Sequence, residues 1–241
     1  MKSIQQDKLI FALSKMFGRQ IDSASFQTEQ LQGGTLGDVR LVKGEAATLG
    51  GEKLPFSVVW KTQKKWERFA DKNSWRREYD LYLSDLSGEF TDALRLPKCY
   101  HAEINDAENE IQLWMEYIKG VSGKALTAEN ENILCSGGEI RLIDWDTSGW
   151  GFFGEDIASL IVDGMDESRF EENLRRLVPA YVRGFSERGD EPPLDENIVL
   201  TLILIKFGYR MLQDYMFTQS PQEKSRGLNS LQIIFEMRDK K

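Results

Sequence analysis

The apolar positions at the start of the chain fall at helical spacing. Leu9, Leu13, Met16 and Phe17 share one face and Gly18 follows as a stop, which predicts a first helix. Three segments of strand character come next: Ser25 to Gln32, Asp38 to Lys43 and Pro55 to Thr62. The first two flank Gly33-Gly34-Thr35-Leu36-Gly37, a hairpin signal with more glycine than a minimal turn needs. Within Asp71 to Leu86, Trp75, Tyr79, Tyr82, Leu83 and Leu86 lie on one helical face. Lys98 to Ile104 and Glu110 to Tyr117 then read as strands on either side of a turn at Asn105-Asp106-Ala107. This order predicts a five-stranded antiparallel sheet crossed by one helix.

The second half has a different texture. Ile133 to Ser136 and Glu139 to Ile143 form a hairpin around Ser136-Gly137-Gly138, where the glycines supply the positive φ of a tight turn. From Asp156 onward the periodicity is helical, over Asp156 to Asp163, Arg169 to Glu187, Asp195 to Phe217 and Pro221 to Arg238. Asp195 follows Pro192-Pro193 and precedes an apolar run, as a helix N-cap does. The expected fold is α+β, with a sheet-rich N-terminal lobe over 1–117 and a mainly helical lobe, carrying the hairpin, over 118–241.

Composition narrows the function classes. The 241 residues suffice for a sizeable core. A net charge of -8 argues against a nucleic-acid partner and leans slightly toward a cationic substrate. The longest apolar run, Ile198 to Ile205, is too short to span a bilayer and reads as a buried helix. The N-terminus has no secretory pattern, and Cys99 and Cys135 lack metal-ligand spacing, so a cytoplasmic protein with reduced thiols is expected. His101 is the single histidine, which leaves no multi-histidine metal site.

Several residues carry candidate chemistry. Gly33 and Gly34 sit in a turn whose N–H groups could fold over phosphates, although an ordinary hairpin loop has the same residues. Lys61 ends the apolar strand from Phe56, where a lysine usually reaches out to water. Glu78 lies between Trp75 and Tyr82 on the buried side of its helix, and a buried carboxylate needs a cation. Lys61 is the nearest plausible one. A lysine–glutamate pair of this kind clamps nucleotide phosphates in protein-kinase-like sites. Asn132 and Asp144 stand at the same end of the hairpin and offer hard oxygen ligands suited to Mg²⁺, with Asp146 two residues on.

Lys61, Glu78, Leu113-Trp114-Met115-Glu116-Tyr117, Asn132-Ile133-Leu134, Ile143-Asp144-Trp145-Asp146 and Gly154 through Leu160 occur in the order seen in the aminoglycoside phosphotransferase and choline kinase family. The chain resembles that family, which has a protein-kinase-like fold, over roughly residues 20 to 215. The resemblance implies an ATP-dependent phosphotransferase acting on a hydroxyl of an aminoglycoside- or amino-alcohol-like substrate. It implies that Lys61 holds the ATP phosphates, that Glu78 orients it, and that Met115, Glu116 and Tyr117 meet adenine. It also implies that Asn132 and Asp144 bind Mg²⁺ and that Asp156 is a structural acid at a helix start.

One element departs from the pattern. The family's His-Gly-Asp triplet falls on Ala125-Leu126-Thr127, so Thr127 occupies the place of the catalytic aspartate. The stretch 118–131 holds at most two or three helical turns, at ~1.5 Å per residue, where the family has long helices. The helical lobe is therefore expected to be shortened, with the junction near Lys124 or Ala125. The helix around Ile198 to Leu212, apolar nearly all round, then predicts self-association. Two alternatives stay open: a non-catalytic nucleotide-binding or interaction module, and an unrelated α+β protein whose acids are placed by chance.

Overall fold

The computed structural model describes residues 4–31, 37–66, 73–85, 94–122, 133–143, 151–163, 169–189 and 192–239. They fall into two compact units, the first within 1–126 and 131–149, the second within 127–130 and 150–241. The expected division placed the hairpin with the helices. The hairpin instead belongs to the sheet-rich unit.

That unit opens with helix α1 (Gln6–Phe17), which Gly18 ends in the left-handed conformation, its N–H returning to the Ser14 carbonyl. Strands β1 (Ile21–Gln30), β2 (Gly37–Thr48) and β3 (Lys53–Lys64) follow, then a turn of 3₁₀ helix at Ser74–Arg76 leading into α2 (Arg77–Leu83). After the short β4 (Leu94–Arg95) come β5 (Cys99–Asn105) and β6 (Glu110–Glu116). The main sheet is five-stranded and antiparallel throughout, in the order β1-β2-β3-β6-β5. This is the predicted sheet. Its second strand continues past the predicted end at Lys43 because Gly44 lets β2 stay against β1: a Cβ there would lie 1.9 Å from the Ser25 carbonyl oxygen.

Strand alternation divides the sheet into two apolar faces. Phe56, Val58 and Trp60 of β3 point to the side covered by α1, where they pack with Leu9, Leu13, Val42 and Trp114. Val59 points to the other side, with Ile111, Leu113 and Met115 of β6 and Trp75 of the 3₁₀ turn. Tyr79 and Tyr82 of α2 pack on this second face. The expected helical face ran through Glu78 and Leu83; Glu78 is buried as expected, but Leu83 is 61% exposed. The 3₁₀ turn explains the offset: it advances 3.0 residues per turn, so the face that starts at Trp75 continues through Glu78 and Tyr82. Leu86 lies outside the described residues.

A second, four-stranded sheet completes the unit, in the order β4-β9-β8-β7. It contains β7 (Val121–Ser122), β8 (Ile133–Ser136) and β9 (Glu139–Leu142). The β8–β9 hairpin turns at Gly137 and Gly138, with φ of 59° and 84°. β4 joins β9 in parallel, Arg95 opposite Arg141.

The second unit is helical: α3 (Glu155–Asp163), α4 (Phe170–Ser186), α5 (Glu196–Phe217) and α6 (Pro221–Asp239). Asp195 caps α5 as predicted, its Oδ1 accepting the Ile198 N–H at 2.8 Å. The core joins Ile161, Phe170, Leu174, Leu200, Ile203 and Ile234. Gly227 permits a close approach of α6 to α5, since a Cβ there would stand 2.7 Å from the Met211 carbonyl oxygen. No helix among the described residues is long and apolar enough to cross a membrane.

Candidate functional site

Lys61 lies near the end of β3, between Val39 of β2 and Leu113 of β6 in the ladder. Alternation puts it on the α2 face with Val59, so its stem runs over apolar surface. Glu78, one residue into α2, faces the sheet. The two meet: Lys61 Nζ is 2.6 Å from Glu78 Oε2, and their side chains are 12% and 3% exposed. The burial makes the pair energetically costly to break on one side only. It also fixes an ammonium at the sheet surface by a charge-assisted bond, where a long flexible side chain would otherwise sample many rotamers.

The surroundings of Glu78 are set by Tyr82 and Cys99. Burial, reinforced by the Glu78 charge, drives the Tyr82 hydroxyl far above its usual range. Burial first, opposed by its bond to the His101 carbonyl and reinforced by Glu78, raises the Cys99 thiol to about 11. Both groups are therefore neutral at physiological pH, and Lys61 meets Glu78 beside them. Sequence reasoning missed both residues. An irregularity in the β5–β6 pairing between Cys99 and His101 turns Cys99 to the face of Ala102 and Ile104, which strict alternation would not, so no period-two signal pointed to it.

The segment expected to meet adenine ends β6. Met115 is buried in the ladder between Val59 and Cys99. Glu116 donates its N–H to the Lys98 carbonyl at 2.8 Å and accepts the Lys98 N–H at its Oε2 at 3.1 Å. Tyr117 is the first residue past the strand.

Gly33, Gly34, Thr127, Asn132, Asp144 and Asp146 lie outside the described residues. The hairpin that carries Asn132 and Asp144 at its ends is formed as predicted, with Ile133 opposite Leu142. Among the described residues no group of three His, Cys, Asp or Glu side chains is arranged to hold a metal ion.

Asp156, in the helical unit, stands in the first turn of α3 and is exposed. Tyr181 of α4 donates its hydroxyl to both carboxylate oxygens, at 2.8 and 2.9 Å. Tyr181 itself sits against Phe153 and Phe185. Its neighbour Glu155 is paired with Lys206 of α5 at 2.7 Å and accepts the Phe152 N–H, which together hold its carboxyl below the ordinary carboxylate range. Two acids thus pin the start of α3 to α4 and α5.

No family model matches the chain, and no curated protein matches it in sequence. Among solved structures it is similar to a thermostable mutant of an aminoglycoside phosphotransferase in ternary complex with AMP-PNP and hygromycin B. That likeness has a TM-score of 0.47 and 12% sequence identity, and it covers 94% of this chain and 97% of the other.

Proposed function

We propose that the sheet-rich unit binds ATP in the manner of a protein-kinase-like phosphotransferase, with Lys61 holding the phosphates and Glu78 orienting Lys61. The buried Lys61–Glu78 pair carries this reading. An isolated structural ion pair gives little net stability when buried. A lysine fixed at the end of a central strand by a helix carboxylate is, however, the arrangement that presents an ammonium to α/β-phosphates. The donor set fits a polyphosphate: one positioned ammonium here, and the oxygen ligands Asn132 and Asp144 proposed for Mg²⁺. Gly33 and Gly34 are proposed to cover the phosphates with backbone N–H groups. Of the Met115, Glu116 and Tyr117 segment, the Glu116 N–H is engaged by Lys98, so the adenine contact is assigned chiefly to Tyr117.

ATP supplies the phosphoryl group. The proposed acceptor is a hydroxyl of an aminoglycoside- or amino-alcohol-like molecule. Thr127 stands where a catalytic aspartate is needed and has no carboxylate to position or deprotonate that hydroxyl, so turnover is expected to be weak or absent. Asp156 is assigned a structural part, tying α3 to α4 through Tyr181.

Calorimetry with ATP–Mg²⁺ tests the site. The wild type should bind. A Lys61→Met, Glu78→Leu double variant, which removes the charges without leaving either partner unpaired, should keep its fold by circular dichroism and lose the nucleotide. Equal affinity in the double variant would sink the assignment. Turnover of aminoglycosides or amino-alcohols that depends on Asp144 would show a functioning enzyme despite Thr127.

A second reading, a non-catalytic interaction module, is favoured by the outer side of α5. Ile205, Met216 and Phe217 are all more than 60% exposed, with Tyr209 between them. Such a face is a self-association surface. Light scattering should show concentration-dependent oligomers that Ile205→Lys reduces. A strictly monomeric wild type would remove this reading.

A further inference from the structure

The second sheet holds an arginine pair for which the nucleotide site has no use. Arg95 of β4 and Arg141 of β9 are direct partners in a parallel ladder, so their side chains share one face of the sheet. Both reach the same oxygen, Glu139 Oε2: Arg95 Nη2 at 3.3 Å and Arg141 Nη2 in closer contact. The two guanidiniums hold the Glu139 carboxyl below the ordinary carboxylate range, Arg141 contributing most. One carboxylate therefore serves two cations, and the cluster keeps a net positive charge.

Arg141 is the unusual member. Its side chain is 5% exposed, yet Nε and Nη1 have no protein acceptor among the described residues, and neither has Arg95 Nε. A guanidinium almost removed from water with half its donors unmatched is a high-energy arrangement. The strand pattern sharpens the point. Ile140, its neighbour, is 40% exposed while Arg141 is buried, so β9 turns its arginine inward at the expense of its isoleucine.

Beside Arg95 lies a cleft of about 600 Å³, walled by Arg95, Lys15 of α1, Lys98 and Tyr82 of α2, among others; Arg141 is not in its wall and reaches it only through the Glu139 carboxylate it shares with Arg95. Three cationic side chains around one cleft, on a chain of net charge -8, form a local reversal of the protein's field. Glu116 lies close by but accepts the Lys98 N–H, and Glu139 is committed to the arginines.

We propose that Arg95, with Lys98 and Lys15 at the rim and with its counter-charge Glu139 drawn off by Arg141, forms a second anion site that takes a phosphoryl group of a small metabolite, separate from the Lys61–Glu78 clamp. The fork of a guanidinium matches two oxygens of a phosphate.

The test compares thermal midpoints of the whole chain, followed by tryptophan fluorescence, in inorganic phosphate and in chloride of equal ionic strength. Phosphate should raise the wild-type midpoint, as a ligand of the folded state does. Arg95→Gln should weaken the apparent phosphate affinity about tenfold, the loss of a charge-assisted contact. Arg141→Met, which leaves Glu139 to neutralise Arg95 alone, should weaken the response. Lys43→Gln, at an exposed pair with Glu29 on the main sheet, is the control and should respond as the wild type does. An undiminished response in Arg95→Gln overturns the proposal. So does a response lost in the Lys61→Met, Glu78→Leu double variant, which would assign the phosphate to the clamp. Malonate in place of phosphate separates the sources: an equal rise that Arg95→Gln removes would overturn the phosphoryl assignment in favour of a carboxylate ligand.

Discussion

Replacing Lys61 by alanine leaves the Glu78 carboxylate buried without its cation. Glu78 is 3% exposed at the side chain, and its neighbours Tyr82 and Cys99 are neutral. Breaking one side of a buried pair costs about 3–5 kcal/mol. Lys61 retains 12% exposure, which admits some water and places the expected loss near the lower end, about 3 kcal/mol. Glu78→Ala should cost about the same, since it strands the ammonium. Lys61→Met with Glu78→Leu should return to within about 1 kcal/mol of the wild type, because apolar side chains of similar volume need no partner. The coupling energy of this cycle, the two single losses less that of the double variant, is then about 5–6 kcal/mol. Urea unfolding is the assay, read by tryptophan emission in a Trp150→Phe background, since Trp60, Trp66, Trp75, Trp114 and Trp145 belong to the sheet-rich unit and Trp150 to the helical one. At about 1–3 kcal/mol per molar urea, the single variants should lower the midpoint by about 1–3 M. Losses under about 1 kcal/mol for both singles would show that water screens the pair and would refute the reasoning from burial.

Three further outcomes follow from the same structure. In a Cys135→Ser background, Cys99 should react with a thiol reagent at pH 8 about a hundredfold more slowly than an ordinary thiol, given its rise from 9.0 to about 11, and unfolding should abolish the difference; equal rates folded and unfolded would contradict its burial. Glu155, held by Lys206 and the Phe152 N–H, has a lowered folded pKa, so its contribution is present above the unfolded value of 4.5 and is lost as pH falls through the folded one. Glu155→Gln should therefore destabilise the helical unit by about 1 kcal/mol at pH 7 and not at all in strong acid, and a pH-independent difference in calorimetric midpoints would count against the pair. Gly44→Ala forces β1 and β2 apart at Ser25 and should cost about 1–3 kcal/mol by urea unfolding, with no effect if β1 simply slides away.

The sequence by itself determined the main sheet, its helix and the hairpin. Alternation in Phe56 to Lys61, a glycine stop at Gly18 and the Gly137-Gly138 turn are local signals, and each acts through the dihedral freedom or side-chain period of a few neighbouring residues. The Lys61–Glu78 contact was legible for a related reason. A strand lysine and a helix carboxylate, each set among apolar residues on elements that must pack together, have few other partners. The capping of α5 by Asp195 was legible in the same way.

Tertiary structure alone decided the rest. β4 and β7 are two residues each, too short to show any period, and they exist because β9 and β8 offer them edges. The burial of Arg141 over Ile140 depends on that added strand, since Arg95 lies beside it only after β4 has paired, whereas Glu139 is on β9 itself. The 3₁₀ turn before α2 turned Leu83 out of the buried face that the sequence had assigned to it, while Glu78 kept its expected place there. Likewise Asp156 meets Tyr181 only when α3 packs on α4. Periodicity records which side of an element is apolar, whereas long-range pairing sets which polar groups meet there, and the candidate chemistry of this protein depends on the second as much as on the first.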